Sequence, residues 1–332
     1  MNVYLKVLLL YATVGLFQSL PWYASAALLA LLGSIAFGLY HASDPYGTFH
    51  LQLNVTDPAQ GSQPPTEWLN MGYWKNAASF PDACEALALK VIRAAGCAPG
   101  GRVLGMFCVY FRADLIPPAL RVSDVGHGSG DSLLLQLQHP SVPRPSELVG
   151  ITSIYGHFES SRLRTSKIDS PVRVSLHYGD AVYRPDISVP EHPLNPSAST
   201  PGYDSIIAVD CAYHFSTRQE FLRQSFARLA PGGRIALADL CFDRENAPAA
   251  TVVTLVRMMP KENAINRAVY VREMEKIGYT DVHLEDISDD VFPGFIQFLW
   301  SRGIGWKMFA MLIQTLSRSG LRFVVVSGRK PL

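Results

Sequence analysis

Asp124-Val125-Gly126-His127-Gly128-Ser129-Gly130-Asp131 is the stretch from which the fold of this 332-residue chain can be read. Glycines at alternate positions let a backbone turn tightly and approach a ligand with no Cβ in the way. A β-like run, Val122–Val125, precedes the turn, and the apolar segment Ser132–Leu137 follows it, so the turn is expected to join a strand to a helix. A dinucleotide fingerprint has the spacing G-x-G-x-x-G and sets a pyrophosphate at the helix N-terminus. Here the spacing is G-x-G-x-G, with Asp124 before it and Asp131 after it. Acids at both ends oppose a pyrophosphate and suit a ligand that carries an ammonium group and a sulfonium. That counts against a nicotinamide oxidoreductase.

Downstream, short β-like runs alternate with helical patterns. The expected strands are Val122–Val125, Leu148–Ile151, Val172–His177, Ser205–Val209, Arg234–Ala238, Val282–Glu285 and Arg322–Val326. The clearest helices are one capped by Ser79 and running to about Ala95, then Arg218–Leu229 and Ala264–Ile277. Such alternation predicts an α/β fold, a Rossmann-like seven-stranded, mostly parallel sheet with helices on both faces. In open sheets of this kind ligands sit at the carboxyl ends of the strands. The polar residues fall there: Thr152 and Ser153 after the second strand, Asp180 with Ala181 after the third, Asp210 after the fourth.

Taken together, these segments resemble the class I S-adenosylmethionine-dependent methyltransferases from about Asn70 to Leu332. Within that superfamily the chain looks most like the small-molecule branch of sterol and tocopherol methyltransferases and many fungal enzymes of secondary metabolism. Leu69-Asn70-Met71-Gly72-Tyr73-Trp74 matches the lid segment of that branch. The resemblance implies S-adenosyl-L-methionine as cofactor. It places Tyr73 and Trp74 at its lid, and Asp124, Gly126, Gly128 and Gly130 along its methionine part. It puts Thr152 and Ser153 near the ribose, Asp180 and Ala181 near the adenine, and Asp210 at the close of the fourth strand. One departure is that Thr152 stands where many members carry an acid.

A sulfonium methyl passes in line to its acceptor with charge dispersing, so positioning supplies most of the catalysis and no metal is required. A base is needed only when the acceptor must lose a proton. His214, after the fourth strand and flanked by Tyr213 and Phe215, is the expected base, with Tyr213 beside it. Residues 289–320 separate the last two strands and carry twelve large apolar residues from Phe292 to Leu312. They are expected to form a helical cap, which either packs into the core or covers a small lipophilic acceptor and leans on a bilayer.

The first forty residues are of another kind. From Val3 to Tyr40 the only formal charge is Lys6. A bilayer core takes about 20 helical residues, and Val3–Leu20 and Trp22–Tyr40 are each close to that, with Pro21 between them. Residues 1–41 are therefore expected to be a membrane anchor of one or two helices, with 42–69 a linker and lid entry and 70–332 the catalytic domain. Ala24-Ser25-Ala26 imitates a signal cleavage site. An uncleaved anchor facing the cytosol, at the endoplasmic reticulum, agrees better with a cytosolic cofactor and leaves the Asn54-Val55-Thr56 sequon unused. A net charge of +1 gives no attraction to nucleic acid, and five cysteines without a C-x-x-C pair read as reduced core thiols. A competing reading is a non-catalytic, membrane-bound adenosyl-binding protein or an inactive product of a misread gene.

The resemblance breaks at one place. Gly101-Arg102-Val103-Leu104 should run straight into Asp124-Val125-Gly126, but residues 105–123 intervene. Gly105-Met106-Phe107 can be encoded by a splice donor and Ser123-Asp124 by an acceptor, so the segment reads as a retained intron of the short fungal kind. A genuine loop insertion, with the strand starting at Leu120, is the alternative. The expected outcome is a cDNA shorter by codons 105–123, and a protein lacking them that melts higher and binds cofactor. A deletion form that melts lower and no longer binds it would show the segment to be part of the enzyme.

Overall fold

The computed structural model describes residues 48–55, 64, 66–106, 128–199, 201–256 and 258–332. The expected anchor, the strand at Val122–Val125, Asp124, Gly126 and most of the 105–123 segment lie outside the described residues. Seven strands form one sheet: β1 Arg102–Met106, β2 Glu147–Thr152, β3 Arg173–Tyr178, β4 Tyr203–Val209, β5 Leu229–Phe242, β6 Thr280–Asp286 and β7 Leu321–Arg329. Their order is β3-β2-β1-β4-β5-β7-β6, all parallel except β7, which runs antiparallel between β5 and β6. The labelled helices are α1 Phe80–Ala94, α2 Asp131–Gln138, α3 Tyr155–Thr165, α4 Arg218–Arg228, α5 Pro248–Leu255, α6 Arg267–Ile277, α7 Ser288–Trp300 and α8 Ile304–Arg318.

The first strand corrects the sequence expectation. The strand between β2 and β4 is Arg102–Met106, so the sheet's first described strand starts at Arg102, while the run expected at Val122–Val125 lies outside the described residues. Gly105 and Met106 complete the ladder, pairing with Gly150 and Ile151 on β2 and with Ile207 and Ala208 on β4. Because β1 sits at the centre of the sheet, its register is fixed from both sides. The other expected strands are found; β3 is shifted by one residue to Arg173–Tyr178, and the rest are extended by one or more residues.

Successive residues of a strand point to opposite faces of a sheet, and the core divides accordingly. Ile207, Val209, Phe323 and Val325 face a layer that includes α1, α7 and α8. Ile206, Ala208, Val324 and Val326 face the opposite layer of α4 and α6. Side-chain caps start three of the helices. Ser79, Thr217 and Asn266 accept from the backbone of Asp82, Glu220 and Val269 at 3.3, 3.2 and 3.0 Å. Each satisfies a donor that the first helical turn leaves unpaired.

The 289–320 insertion is two helices, α7 and α8, and it seats on the N-terminal lid segment. A Cβ on Gly294 would lie 2.3 Å from the Trp74 Cβ, so a bare backbone is required where α7 crosses Trp74. Phe298 stacks on Phe80 at 5.0 Å between centroids and lies 5.3 Å from the Trp74 ring. Asn54 of the sequon is fully buried, donating to Trp68 O at 2.9 Å and accepting from Trp68 N at 2.8 Å. Among the described residues no helix is long and apolar enough to cross a membrane.

Asp131, expected to face a cationic ligand, is instead engaged within the protein. Arg164 on α3 grips both its oxygens at 2.7 Å, also donating to Ser129 O at 2.8 Å, and Glu67 N adds a third bond to the carboxylate at 3.1 Å. The pair fixes the glycine turn to α3 and to the segment before the lid. Removing one partner of a mostly buried pair leaves the other charge uncompensated. Arg164→Ala is therefore expected to cost about 3 kcal/mol in urea denaturation, with Arg164→Lys intermediate; a loss indistinguishable from a surface substitution would refute the role.

Candidate active site

The turn before α2, the ends of β2, β3 and β4, and the lid segment converge at the carboxyl edge of the parallel strands. Gly128 and Gly130 are in the left-handed region, at φ +54° and +99°. A Cβ on Gly128 would meet Leu69 of the lid at 3.2 Å, and one on Gly130 would meet the Ser161 Cβ of α3 at 2.9 Å. The turn thus needs its glycines for backbone conformation and for the close approach of protein neighbours.

Asp210 is the hub. It follows β4 with φ +57°, and its amide donates to Ala238 O at 2.8 Å. One oxygen, Oδ2, accepts from Met71 N at 2.7 Å, which draws the lid backbone onto the strand end. The Tyr213 hydroxyl also bonds the carboxyl, while Oδ1 is buried without a partner. Burial pushes the Asp210 carboxyl up to about 7, against the bonds from Met71 and Tyr213, which lower it, and with Asp239 nearby raising it further.

Tyr73 and Trp74 turn their side chains toward α7. The Tyr73 hydroxyl donates to Asp290 Oδ2 at 3.0 Å, and Trp74 Nε1 donates to Met71 O at 2.9 Å. Burial and the Asp290 contact push the Tyr73 hydroxyl up to about 12, which keeps it a donor. Within the lid it is the Met71 backbone that bonds the β4 carboxylate. Asp180 accepts from Val182 N at 2.9 Å and pairs with Arg184 at 3.4 Å, and Ala181 is fully buried beside it. Burial raises the Asp180 carboxyl from its ordinary value.

Tyr213 and His214 lie in a single 3-10 turn, Ala212–His214, their rings 4.0 Å apart. His214 is buried, and burial drives its imidazole down to about 3 against a hydrogen bond to the Met258 backbone. Its Nδ1 has no partner, so the bond to Met258 is made through Nε2. A backbone carbonyl takes a proton from that nitrogen, which leaves the Nδ1 lone pair as an acceptor.

The sequence reading missed what holds this turn. Asn263 donates to Tyr213 O at 3.0 Å and to Phe215 O at 2.7 Å, bracketing His214, and accepts from Arg218 N at 2.9 Å. Arg218, 1% exposed, reaches Asp239 Oδ2 at 2.9 Å, and Tyr270 donates to the same oxygen at 2.7 Å. Arg218 also stacks 4.3 Å over the Tyr270 ring. Asp239 at a strand end was visible in sequence, but its partners lie on α4 and α6 with no motif to mark them.

Buried polar atoms without partners are uncommon in folded proteins, and each costs ~1–3 kcal/mol if left so. Among the described residues Ser132 Oγ, Thr152 Oγ1, Ser153 Oγ, Asp210 Oδ1 and His214 Nδ1 are such atoms, at the α2 N-terminus and after β2 and β4. Two buried hydroxyls where a ribose is expected and a carboxylate beside the glycine turn fit an adenosyl amino acid.

This strand order, with its polar groups at the carboxyl edge, is the class I S-adenosylmethionine-dependent methyltransferase fold. No family model matches the chain. It is 24% identical over 291 residues to erythromycin 3''-O-methyltransferase of Saccharopolyspora erythraea, covering 80% of this chain and 84% of that protein. It is 25% identical over 238 residues to the S-adenosyl-L-methionine-dependent Diels-Alderase iccD of Talaromyces variabilis, covering 65% and 76%. Geranyl diphosphate C-methyltransferase from Streptomyces coelicolor, solved with S-adenosyl-L-homocysteine, superposes with TM-score 0.56 at 13% identity over 76% of this chain and 78% of that one. The chain thus has the class I S-adenosylmethionine-dependent methyltransferase fold and is similar to small-molecule methyltransferases of the secondary-metabolite type.

Asp210 carries a signed prediction. In the unfolded chain it ionises near 3.8, in the folded chain near 7. The folded state therefore loses stability as pH rises between those values and bears the full cost above them. Asp210→Asn should melt higher than the parent at about pH 8 and equally at about pH 4, yet bind S-adenosylmethionine more weakly by calorimetry. Unchanged affinity would remove Asp210 from the cofactor site.

Proposed function

We propose that this methyltransferase acts on a hydroxyl of a small lipophilic acceptor, such as a terpenoid or sterol-like secondary metabolite, at a membrane surface facing the cytosol. The observation that carries the reading is His214, whose buried, neutral imidazole keeps an unpartnered Nδ1 and packs on the Tyr213 ring. S-adenosylmethionine, when bound, supplies a methyl group on a positively charged sulfonium. Gly128 and Gly130 would flank its methionine part, Thr152 and Ser153 would hold its ribose and Asp180 with Ala181 its adenine. Asp210 Oδ1 would take its ammonium group. Asp124 and Gly126 belong to this proposal by sequence alone.

His214 is a weak base, and that suffices. A hydroxyl oxygen gaining a methyl becomes strongly acidic as the bond forms, so Nδ1 accepts the proton late, when little basicity is needed. Burial also keeps His214 neutral at every ordinary pH, so it never adds a positive charge next to a cationic cofactor. Asp210 offsets that charge once ionised. The helices α7 and α8 supply the apolar cover a lipophilic acceptor needs, and the name of the erythromycin relative, an O-methyltransferase, supports an oxygen acceptor.

The test incubates the full chain with methyl-deuterated S-adenosylmethionine and a panel of hydroxylated terpenoids and polyketides in mixed micelles. A product carrying the deuterated methyl on oxygen is expected, with His214→Ala lowering kcat by about a hundredfold at unchanged cofactor affinity. Label that stays on the cofactor while a substrate cyclises would instead support the chemistry in the name of the Talaromyces relative. Full activity in His214→Ala would dismiss the base.

A further inference from the structure

We infer that the exposed face formed by α5 and α8 docks on an anionic lipid leaflet and is the side from which the acceptor enters. This rests on the reading above that the acceptor is lipophilic and met at a membrane. The first ground is α8 itself, which is apolar on two sides. Trp306, Ala310, Ile313 and Leu316 are buried, while Ile304, Met308, Met311 and Leu312 are exposed at 77, 66, 54 and 41%. A helix apolar all round belongs in a core or a membrane. Its neighbour α5, whose Ala249 N donates to Ser319 O at 3.2 Å, adds Val252 and Leu255, the latter 80% exposed. An apolar surface that spreads over two adjoining helices marks a docking face more often than chance exposure.

The second ground is charge. Asn246–Lys261 and Ser301–Leu332 contain no Asp or Glu, though the exposed Glu245 and Glu262 flank the first of them, while Lys261, Lys307 and Arg318 lie within them. Apolar residues with cations among them are what an anionic leaflet attracts, since basic side chains meet headgroups while apolar ones enter the acyl boundary. A second protein copy would have no use for that bias, because the face is not complementary to itself.

The third ground is position. The described chain starts at the helical turn Thr48–Leu51, where the His50 ring meets Trp306 of α8 edge-on at 5.1 Å, and Arg302 reaches Val55 O at 3.4 Å. The apolar sequence Val3–Tyr40 therefore ends only a few residues before a contact with α8. Ten residues span at most ~35 Å, so a bilayer that held this sequence would lie within reach of the face. The other end of the face is tied to the site. Met258 and Met259 donate back to Val253 O at 2.9 and 3.3 Å, closing α5, and the Met258 backbone bonds His214. The end of α5 thus joins the face to the turn that carries the imidazole.

The experiment places an environment-sensitive dye on cysteines introduced singly in the full chain. Met308→Cys and Leu255→Cys probe the face, and Arg223→Cys on α4 reports the opposite layer. Vesicles of phosphatidylcholine with phosphatidylserine carry brominated acyl chains as quenchers. Quenching at 308 and 255 roughly threefold above that at 223 is expected for apolar side chains at the acyl boundary, and less with phosphatidylcholine alone. Equal quenching at all three positions overturns the proposal. So does a dye at 308 already shielded without vesicles, whether in a dimer, where a second copy covers the face, or in a monomer, where the chain covers itself. Calorimetry with S-adenosylmethionine on the same labelled proteins separates the cases. Cofactor binding without docking defeats this inference alone, and loss of both points to the methyltransferase reading.

Discussion

The hydrogen bond from Met71 N to the Asp210 carboxylate joins two parts of the chain 139 residues apart. Asp210 closes β4, the strand beside central β1, and Met71 belongs to the segment that later crosses the site. A carboxylate buried this deeply would normally be excluded from a core. It is tolerated because Oδ2 accepts from Met71 and the Tyr213 hydroxyl bonds the carboxyl, while Oδ1 has no partner. The lid, the Tyr213–His214 turn and the strand edge all meet in that one side chain, so its ionisation is coupled to the placement of all three.

Around it the polar interior divides into two kinds. Arg164 with Asp131, and Arg218 with Asp239, Tyr270 and Asn263, are closed networks in which nearly every donor has a partner. They brace the glycine turn on one side and the His214 turn on the other. Between them sit side chains whose hydrogen-bonding capacity is unspent. Satisfied networks rigidify, and half-satisfied ones are costly unless a ligand completes them.

Much of this was legible in the sequence, for a physical reason in each case. The strands at Leu148 and Ser205 announce themselves because parallel strands buried on both faces are continuous apolar runs. Gly128 and Gly130 are visible because left-handed backbone all but requires glycine. Ser79 is visible because caps recur at fixed offsets from a helix, whereas Thr217 was passed over. Arg102–Met106 was not read as a complete strand, since Arg102-Val103-Leu104 with Gly105 and Met106 is short and carries a glycine that weakens β propensity, while Val122–Val125 leads directly into the turn. Asp131 was assigned to a ligand because its partner Arg164 lies a helix away, and Asn263 was passed over because a clamp on two carbonyls leaves no spacing to find. Pairings between distant segments are the part a one-dimensional pattern does not encode.

Gly294 beneath Trp74 has a wider meaning for how such enzymes diversify. Because the crossing point admits no side chain at all, the helical insertion and the N-terminal lid are keyed to each other like the two halves of a mould. Neither can be exchanged alone. A chimera that imports α7 and α8 from a relative with any larger residue there would have to import the matching lid as well. The insertion and the lid are thus a matched pair of segments some two hundred residues apart, set on one sheet.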